Sequence, residues 1–247
     1  MGISVKDKVA LVTGANRGIG KAIVEAFLRE GARKVYLVVR NPETAVVLEK
    51  RYGEAVETLV ADLADRVSIG RLAEQASDAE IVVNNAGILI PSSPIAEGVE
   101  DALSKELEVN VFGLLRVANT FAPILEANGG GALVQMNSIA SIKNFADLST
   151  YSASKAAAYS LTQGLREKLA TKGIAVLSVH PGPIQTDMGS EAGFDGSPEP
   201  SVVADGIVEA LASGTFHLFP DEMAKQFDKA YQSFADNIVL ADFSESA

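Results

Sequence analysis

Short apolar runs alternate with longer amphipathic stretches along this chain. The apolar, β-branched runs are Lys8–Thr13, Lys34–Val39, Val56–Ala61, Glu80–Asn84, Ala132–Asn137, Ile174–His180 and Thr215–Phe219. They are apolar throughout instead of alternating, as strands buried on both faces must be. Stretches with helical spacing separate them, among them Gly18–Glu30 and Tyr151–Thr171. This order predicts an α/β fold of the Rossmann type: a doubly wound, mostly parallel seven-stranded sheet with helices on both faces. No internal repeat or linker divides the 247 residues, so a single domain is expected. Gly, Pro, Ser and acidic residues gather in Gly189–Pro200 and predict a flap over 187–200. A further helix is predicted over 220–236, with Met223, Phe227, Tyr231 and Phe234 along one side. That side reads as an intramolecular or subunit contact.

Composition narrows the choice of partners. The formal net charge of -11 disfavours nucleic acid and anionic membranes, so any anion must meet a local basic site. There are no cysteines, which removes disulfides and thiolate metal sites. His180 and His217 stand far apart in sequence and read as structural residues, so no metal site is expected. Met1–Lys8 is short and polar, unlike a signal peptide, and no apolar run approaches the roughly 20 residues that span a bilayer. The expectation is a cytoplasmic protein.

The unusual segments share one place in the expected fold. "TGANRGIG" (Thr13–Gly20) follows the first strand, "NNAG" (Asn84–Gly87) the fourth, Asn137–Ser138 the fifth and "HPGPIQT" (His180–Thr186) the sixth. Ligands of open α/β sheets bind outside the carboxyl ends of the strands, and all four segments fall on that edge. Glycines in the first segment allow a backbone to approach a pyrophosphate, and a helix opening near Gly18 offers free N–H groups to it. The spacing Gly14, Gly18, Gly20 is G-x-x-x-G-x-G, not the common G-x-G-x-x-G fingerprint.

The stretch "TYSASKAAAYS" (Thr150–Ser160) places Tyr151 and Tyr159 each four residues from Lys155, so both rings share its helix face. Geometry separates them. A helix after the fifth strand begins near the ligand edge, and Tyr159 lies roughly 12 Å farther down its axis. Ser138 can approach Tyr151 but hardly Tyr159, which reads as a packing residue with Leu161, Leu165 and Leu169.

"TGANRGIG", "NNAG", Ser138 and "YSASK", in this order, resemble the short-chain dehydrogenase/reductase family, over nearly the whole chain from Lys6 to about Phe219. The resemblance implies a single Rossmann-type domain that transfers hydride between a nicotinamide dinucleotide and a carbonyl compound or alcohol. It implies Tyr151 as general acid/base, Lys155 as its electrostatic partner and ribose ligand, Ser138 on the substrate oxygen, and Asn110 in support of a proton relay. Lys155 and an oxidised nicotinamide would favour the Tyr151 phenolate, and a lowering of about 2–3 pKa units corresponds to roughly 3–4 kcal/mol. The cofactor residues it implies are Gly14, Asn16, Arg17, Gly18, Ile19 and Gly20 in the glycine loop, and Asp62 and Leu63 at the adenine. Asn84, Ala86 and Gly87 follow the fourth strand, and Pro181, Gly182, Ile184 and Thr186 flank the nicotinamide, with Tyr151 and Lys155.

An acid at the end of the second strand selects NAD, and a basic residue there suits the 2′-phosphate of NADP. Here Val39 stands where the acid is sought, Arg40 follows, and Arg17 lies in the glycine loop. Guanidinium pairs with phosphate bidentately, so NADP(H) is expected. Leu89–Pro91, Ser141–Phe145, Met188 and the flap should form the substrate pocket. Ile142, Phe145, Met188 and Phe194 suggest an apolar carbonyl or alcohol substrate. The last segment lacks the glycine-containing end of many relatives, which weighs against the 3-oxoacyl reductases it otherwise resembles, and a 3-oxoacyl reductase-like enzyme stays among the alternatives. Other readings are a non-catalytic NADP-binding sensor or scaffold and a lyase-type relative. Lys155 and the intact glycine loop argue against the lyase, and the intact Ser138, Tyr151 and Lys155 against the sensor. A homodimer or homotetramer is expected from the resemblance.

Overall fold

A computed structural model describes residues 2–194 and 196–241. Met1, Asp195 of the expected flap and residues 242–247 lie outside the described part. The strands are β1 (Val9–Thr13), β2 (Lys34–Val39), β3 (Val56–Val60), β4 (Ile81–Asn84), β5 (Gly131–Met136), β6 (Ile174–Val179) and β7 (His217–Leu218). The helices are α1 (Gly18–Arg29), α2 (Val46–Tyr52), α3 (Arg66–Gln75), α4 (Val99–Glu106), α5 (Gly113–Ala127), α6 (Ser149–Ala170), α7 (Asp187–Glu191), α8 (Ser201–Ser213) and α9 (Glu222–Phe234). A π-helical stretch, Leu107–Phe112, joins α4 to α5. The seven strands form one sheet in the order β3-β2-β1-β4-β5-β6-β7, and every neighbouring pair is parallel.

The unbroken apolar runs follow from a core on each face. Along β2, Val35, Leu37 and Val39 join the core cluster that holds Ile23 and Phe27 of α1 and Val203 and Ile207 of α8. Tyr36 and Val38 join the opposite cluster, with Leu72 of α3 and Leu114, Val117 and Phe121 of α5. Side chains alternate across a strand, so both registers must be apolar. Tyr159, Leu161, Leu165 and Leu169 of α6 lie in or against the second cluster, as expected of packing residues. β7 is shorter than its apolar run because only His217 and Leu218 pair with β6 before Pro220 ends the edge strand.

Two local features set the site. α6 begins at Ser149, two residues earlier than the spacing predicts, so Tyr151 stands in its first turn at the carboxyl edge of the sheet. Asp221 caps α9 by accepting the Ala224 N–H at 3.0 Å, and its other oxygen accepts the Gly182 N–H at 2.7 Å. The last helix is thereby tied to the segment after β6. Phe227 and Tyr231 pack on Ile139 and Phe219, whereas Phe234 is exposed. The expected single apolar side therefore buries only part of its residues inside the chain.

Phe121 is completely buried between α5 and the sheet. Phe121→Ala should cost about 3–5 kcal/mol through lost burial and a residual cavity. Urea unfolding of the two proteins measures the difference, and a loss below about 1 kcal/mol would contradict this packing.

Candidate active site

The carboxyl ends of β1, β4, β5 and β6 surround a cavity of about 660 Å³. The first wall is the glycine loop. Gly14 has φ +66°, and a Cβ on Gly20 would lie 2.1 Å from the Gly14 carbonyl oxygen, so neither position accepts a side chain without rearrangement. Arg17 at the start of α1 provides no side-chain cap, which leaves the first N–H groups of that helix facing the cavity. These features fit the pyrophosphate of a dinucleotide. Opposite the loop, Asn85 donates from Nδ2 to the Thr13 carbonyl at 2.8 Å, while Thr13 Oγ1 accepts the N–H groups of Asn85 and Ala86 at 2.9 Å each.

Gly14, Asn16, Arg17, Gly18, Ile19, Gly20, Arg40, Asp62, Leu63, Ala86, Gly87, Tyr151, Lys155, Pro181, Gly182, Ile184 and Thr186 all line this cavity. Asn84 does not line it. It ends β4 with its side chain inside the sheet, donating to Gln135 Oε1 at 2.7 Å, and the next asparagine, Asn85, takes the cavity wall. Asn110 is also withdrawn from the cavity, although Val109 lines it. Asn110 Oδ1 accepts the Ile88 N–H at 2.9 Å, and Nδ2 donates to the Ile88 carbonyl at 2.9 Å and to Ser154 Oγ at 3.0 Å. It fixes the wall after β4.

Ser138, Tyr151 and Lys155 meet at the centre. Lys155 is buried, donates to the Met136 carbonyl at 2.8 Å, and holds its Nζ 5.7 Å from the centre of the Tyr151 ring. A Cβ on Gly87 would lie 2.9 Å from Asn110 Oδ1, so the bare glycine leaves room for that amide, and Lys155 Nζ stands at ordinary contact distance beside it. Burial pushes the Lys155 ammonium down to about 8, with Glu106 acting in the other direction. Burial likewise pushes the Tyr151 hydroxyl up to about 12; the Ser138 hydroxyl beside it pulls it down and Glu106 pushes it up. This direction is opposite to the expected lowering of Tyr151. In the protein alone burial outweighs the neighbouring groups, so the lowering has to arrive with a positive charge in the cavity.

At the mouth, Arg40 and Asn41 follow β2, and Thr44 lies beside them. Arg17 reaches across to Asp187 at the start of α7, with Nη1 and Oδ2 2.7 Å apart, and both side chains are largely exposed. The far end is apolar: Leu89, Phe145, Leu148, Met188, Phe194 and Met223 line it. Of the pocket segments expected from sequence, only Leu89, Phe145, Met188 and, from the flap, Gly189 and Phe194 are in the lining; Ile90, Pro91 and Ser141 to Asn144 are outside it. Met223 enters it from α9, a helix that sequence assigned to a packing contact. The hydrophobic spacing of α9 signals its buried side, but nothing local signals that Met223 faces the cavity.

Ser141 serves the site from behind. Ser141 Oγ donates to the Ser138 carbonyl, so it must accept from His180 Nδ1, 2.9 Å away. His180 Nε2 then accepts from Ser178 Oγ at 2.7 Å, and Ser178 Oγ accepts from Asn137 Nδ2 at 2.8 Å. This one-directional chain fixes the His180 tautomer and the backbone of Ser138. His217 lies with its ring centre 5.8 Å from that of His180, and its Nε2 is 2.6 Å from the Tyr159 hydroxyl. Both histidines are held by protein groups, and no cluster of three or more His, Asp or Glu residues suited to a metal occurs among the described residues.

The fold and cavity agree with what known proteins share with this chain. The short chain dehydrogenase family profile matches residues 8–195. An uncharacterised oxidoreductase of Staphylococcus saprophyticus is 32% identical over 219 residues, covering 85% of this chain and 93% of the relative. The NADPH-dependent 3-dehydrocapnine reductase of Ornithobacterium rhinotracheale is 33% identical over 201 residues, covering 77% of this chain and 70% of the relative. The crystal structure of a short chain dehydrogenase from Burkholderia cenocepacia in complex with NADP superposes with a TM-score of 0.85 at 32% identity, covering 97% and 100% of the two chains. The chain belongs to the short-chain dehydrogenase/reductase family and is an oxidoreductase of that class. No helix among the described residues is long and apolar enough to cross a membrane.

The buried imidazoles have a consequence for stability. Burial pushes His180 down to about 3 and His217 down to about 4, the second ring adding to the first. Both are neutral when folded, whereas unfolded histidines gain a proton below about pH 6.5. Stability is therefore complete above pH 6.5 and lost as pH falls below it, by up to about 1.4 kcal/mol per pH unit for His180. Glu106, whose carboxyl burial raises, partly opposes this below neutrality. The melting temperature should fall between pH 7 and pH 5, and His180→Asn should flatten that slope. An unchanged slope in the variant would contradict the neutral, buried state of the ring.

Proposed function

We propose that this oxidoreductase is an NADP(H)-dependent carbonyl reductase, or alcohol dehydrogenase in reverse, acting on a ketone or secondary alcohol with apolar substituents. The observation that carries this reading is the meeting of Ser138, Tyr151 and Lys155 in one cavity with the uncapped start of α1. The nicotinamide supplies the hydride when bound, and the protein provides position and the proton. The Ser138 hydroxyl holds the substrate oxygen and stabilises charge developing on it. Tyr151 donates its proton to that oxygen on reduction and accepts it on oxidation. The Lys155 ammonium favours the phenolate side of that exchange and offers its N–H groups to ribose hydroxyls. Asn110 keeps the Ile88 wall in register with Lys155 through its two bonds to Ile88.

Arg40, beside Asn41 and Thr44, is the guanidinium for a 2′-phosphate, and the missing acid at Val39 leaves nothing there to repel it. Arg17 is the second guanidinium, and it must exchange Asp187 for the phosphate to take part. The NADP complex of the Burkholderia relative and the NADPH dependence of the Ornithobacterium reductase support the same cofactor. The apolar end formed by Phe145, Leu148, Met188, Phe194 and Met223 supports an apolar substrate.

The test is NADPH oxidation by the purified protein across aliphatic, aromatic and β-keto carbonyl compounds. Turnover should be faster with NADPH than NADH, and Tyr151→Phe should lower kcat by about 10²–10⁴-fold. NADPH binding without turnover of any compound would favour a sensor. Arg40→Ala should weaken NADPH binding by on the order of tenfold and leave NADH binding nearly unchanged. Equal losses for both cofactors would remove Arg40 from phosphate recognition.

A further inference from the structure

The glycine loop after β1 stands in the middle of the carboxyl edge of the sheet. Ser138, Tyr151 and Gly182 line the cavity on the β4–β6 side of it, and Arg40, Asp62 and Leu63 line it on the β2–β3 side. A dinucleotide with its pyrophosphate at the glycine loop and its nicotinamide at Tyr151 therefore lays its adenosine end against the turn after β3. In that turn the Asp62 N–H donates to Ser68 Oγ at 3.0 Å, the Ala64 N–H to Asp62 Oδ1 at 2.9 Å, and the Asp65 N–H to the Asp62 carbonyl at 3.0 Å. These bonds close the turn on itself and on α3. They do not set its place relative to α5.

Arg116, in the first turn of α5, makes that link. Its Nη1 donates to the Leu63 carbonyl at 2.9 Å, and its Nη2 is paired with Glu108 Oε1 at 2.6 Å. Among the described residues no other hydrogen bond joins Asp62–Asp65 to α4, α5 or the π-helical stretch between them. α5 also presses on the same residue, since a Cβ on Gly113 would lie 3.0 Å from Leu63 Cβ. The Arg116 side chain is 17% exposed and that of Glu108 42%, and an ion pair so open on one side adds little stability by itself. Arg116 Nε is buried with no partner among the described residues, a cost that a purely apolar contact would avoid. What the arginine adds is a planar fork held at two points, which a single ammonium does not offer. Glu108 lies in the π-helical stretch, where the Gly113 N–H reaches back five residues to the Glu108 carbonyl. The same stretch gives Val109 to the cavity wall and Asn110 to Ile88. One irregular turn thus ties both walls of the cleft, the β4 wall through Asn110 and the β3 wall through Glu108 and Arg116.

We propose that Arg116 is a positioning residue for the adenosine end of the cofactor, holding the Leu63 backbone at the cavity with one nitrogen while Glu108 aims the guanidinium through another. This rests on the reading of the cleft as a site for NADP(H). Arg116 does not line the cavity, so it acts through Leu63 and not by touching the cofactor. The adenosine is common to NADPH and NADH. Arg116 therefore supports both alike, unlike Arg40, whose proposed partner is the 2′-phosphate alone.

The test is calorimetric binding of NADPH, NADH and adenosine 2′,5′-bisphosphate to the purified protein, with no carbonyl compound present. Arg116→Met keeps an apolar stem and removes both bonds. It should weaken all three ligands by a common factor, on the order of tenfold. Arg116→Lys keeps one donor and should regain part of the loss. Glu108→Gln should weaken all three by a smaller factor, and the double variant should bind no worse than Arg116→Met, because Glu108 acts through the arginine. With any carbonyl compound that turns over, the loss should appear in KM for NADPH and not in kcat, whereas a general loosening of the fold would lower kcat as well. Undiminished binding in Arg116→Met, a loss confined to NADPH, a loss that spares adenosine 2′,5′-bisphosphate, or additive losses in the double variant would each overturn the proposal. Should Arg116→Met not fold, undiminished binding in the surface variant Glu108→Gln would overturn it instead. If the unaltered protein bound neither dinucleotide, the cofactor reading would fall and the proposal with it; tight binding that the variants leave unchanged would remove the proposal alone.

Discussion

The site depends on the parting of the chain between β1 and β4. From β1 the chain crosses through α1 to β2 on one side, and from β4 it continues to β5 on the other. The two loops must diverge, and a parallel sheet opens a crevice where they do so. Thr13 and Asn85 hold its two lips together: the threonine hydroxyl accepts two N–H groups of the β4 loop, and the asparagine amide reaches the Thr13 and Gly14 carbonyls. These bonds bring the glycine loop against the β4 wall. A side chain at Gly20 would meet both the loop and Asn85, which is why the approach needs bare backbone.

Burial then governs the chemistry. Lys155, Asn110 and His180 are shielded from water, and protein groups satisfy their polar atoms, whereas Glu106 keeps one oxygen without a hydrogen-bond partner among the described residues. Asn110 is saturated by Ile88 and Ser154, and His180 by Ser141 and Ser178. Such groups lose their freedom to reorient, which is the condition for fixed dipoles at a reacting oxygen. The same low dielectric makes charge scarce. It drives the Tyr151 hydroxyl up and the Lys155 ammonium down, against the smaller upward pull of Glu106 on the lysine.

The substrate end follows different rules. It is lined by apolar side chains from four separate parts of the chain: Leu89 after β4, Phe145 and Leu148 before α6, Met188 and Phe194 after β6, and Met223 on α9. α9 is brought there by Asp221, whose carboxylate caps the helix and holds the Gly182 N–H. The position of Met223 is therefore coupled to the segment that also flanks the cofactor cleft.

The sequence by itself determined the features that local periodicity controls. Unbroken apolar runs between helical stretches specify a two-faced parallel sheet, because both registers of its inner strands must be buried, while the edge strand β3 keeps Glu57 and Val60 exposed. The glycine spacing marks the tight turn after β1, and the rise along α6 separates Tyr151 from Tyr159. Only the tertiary structure decided which distant groups meet. The Arg17–Asp187 pair spans 170 positions, and the rings of His180 and His217 lie 5.8 Å apart in one cluster although 37 positions separate them. The choice of Asn85 over Asn84 for the cavity depends on which side of β4 each residue presents. The loneliness of Glu106 Oε2 depends on everything packed around it. Those outcomes arise from the docking of whole elements, and no local pattern of hydrophobic and polar residues encodes the partner that an element will meet.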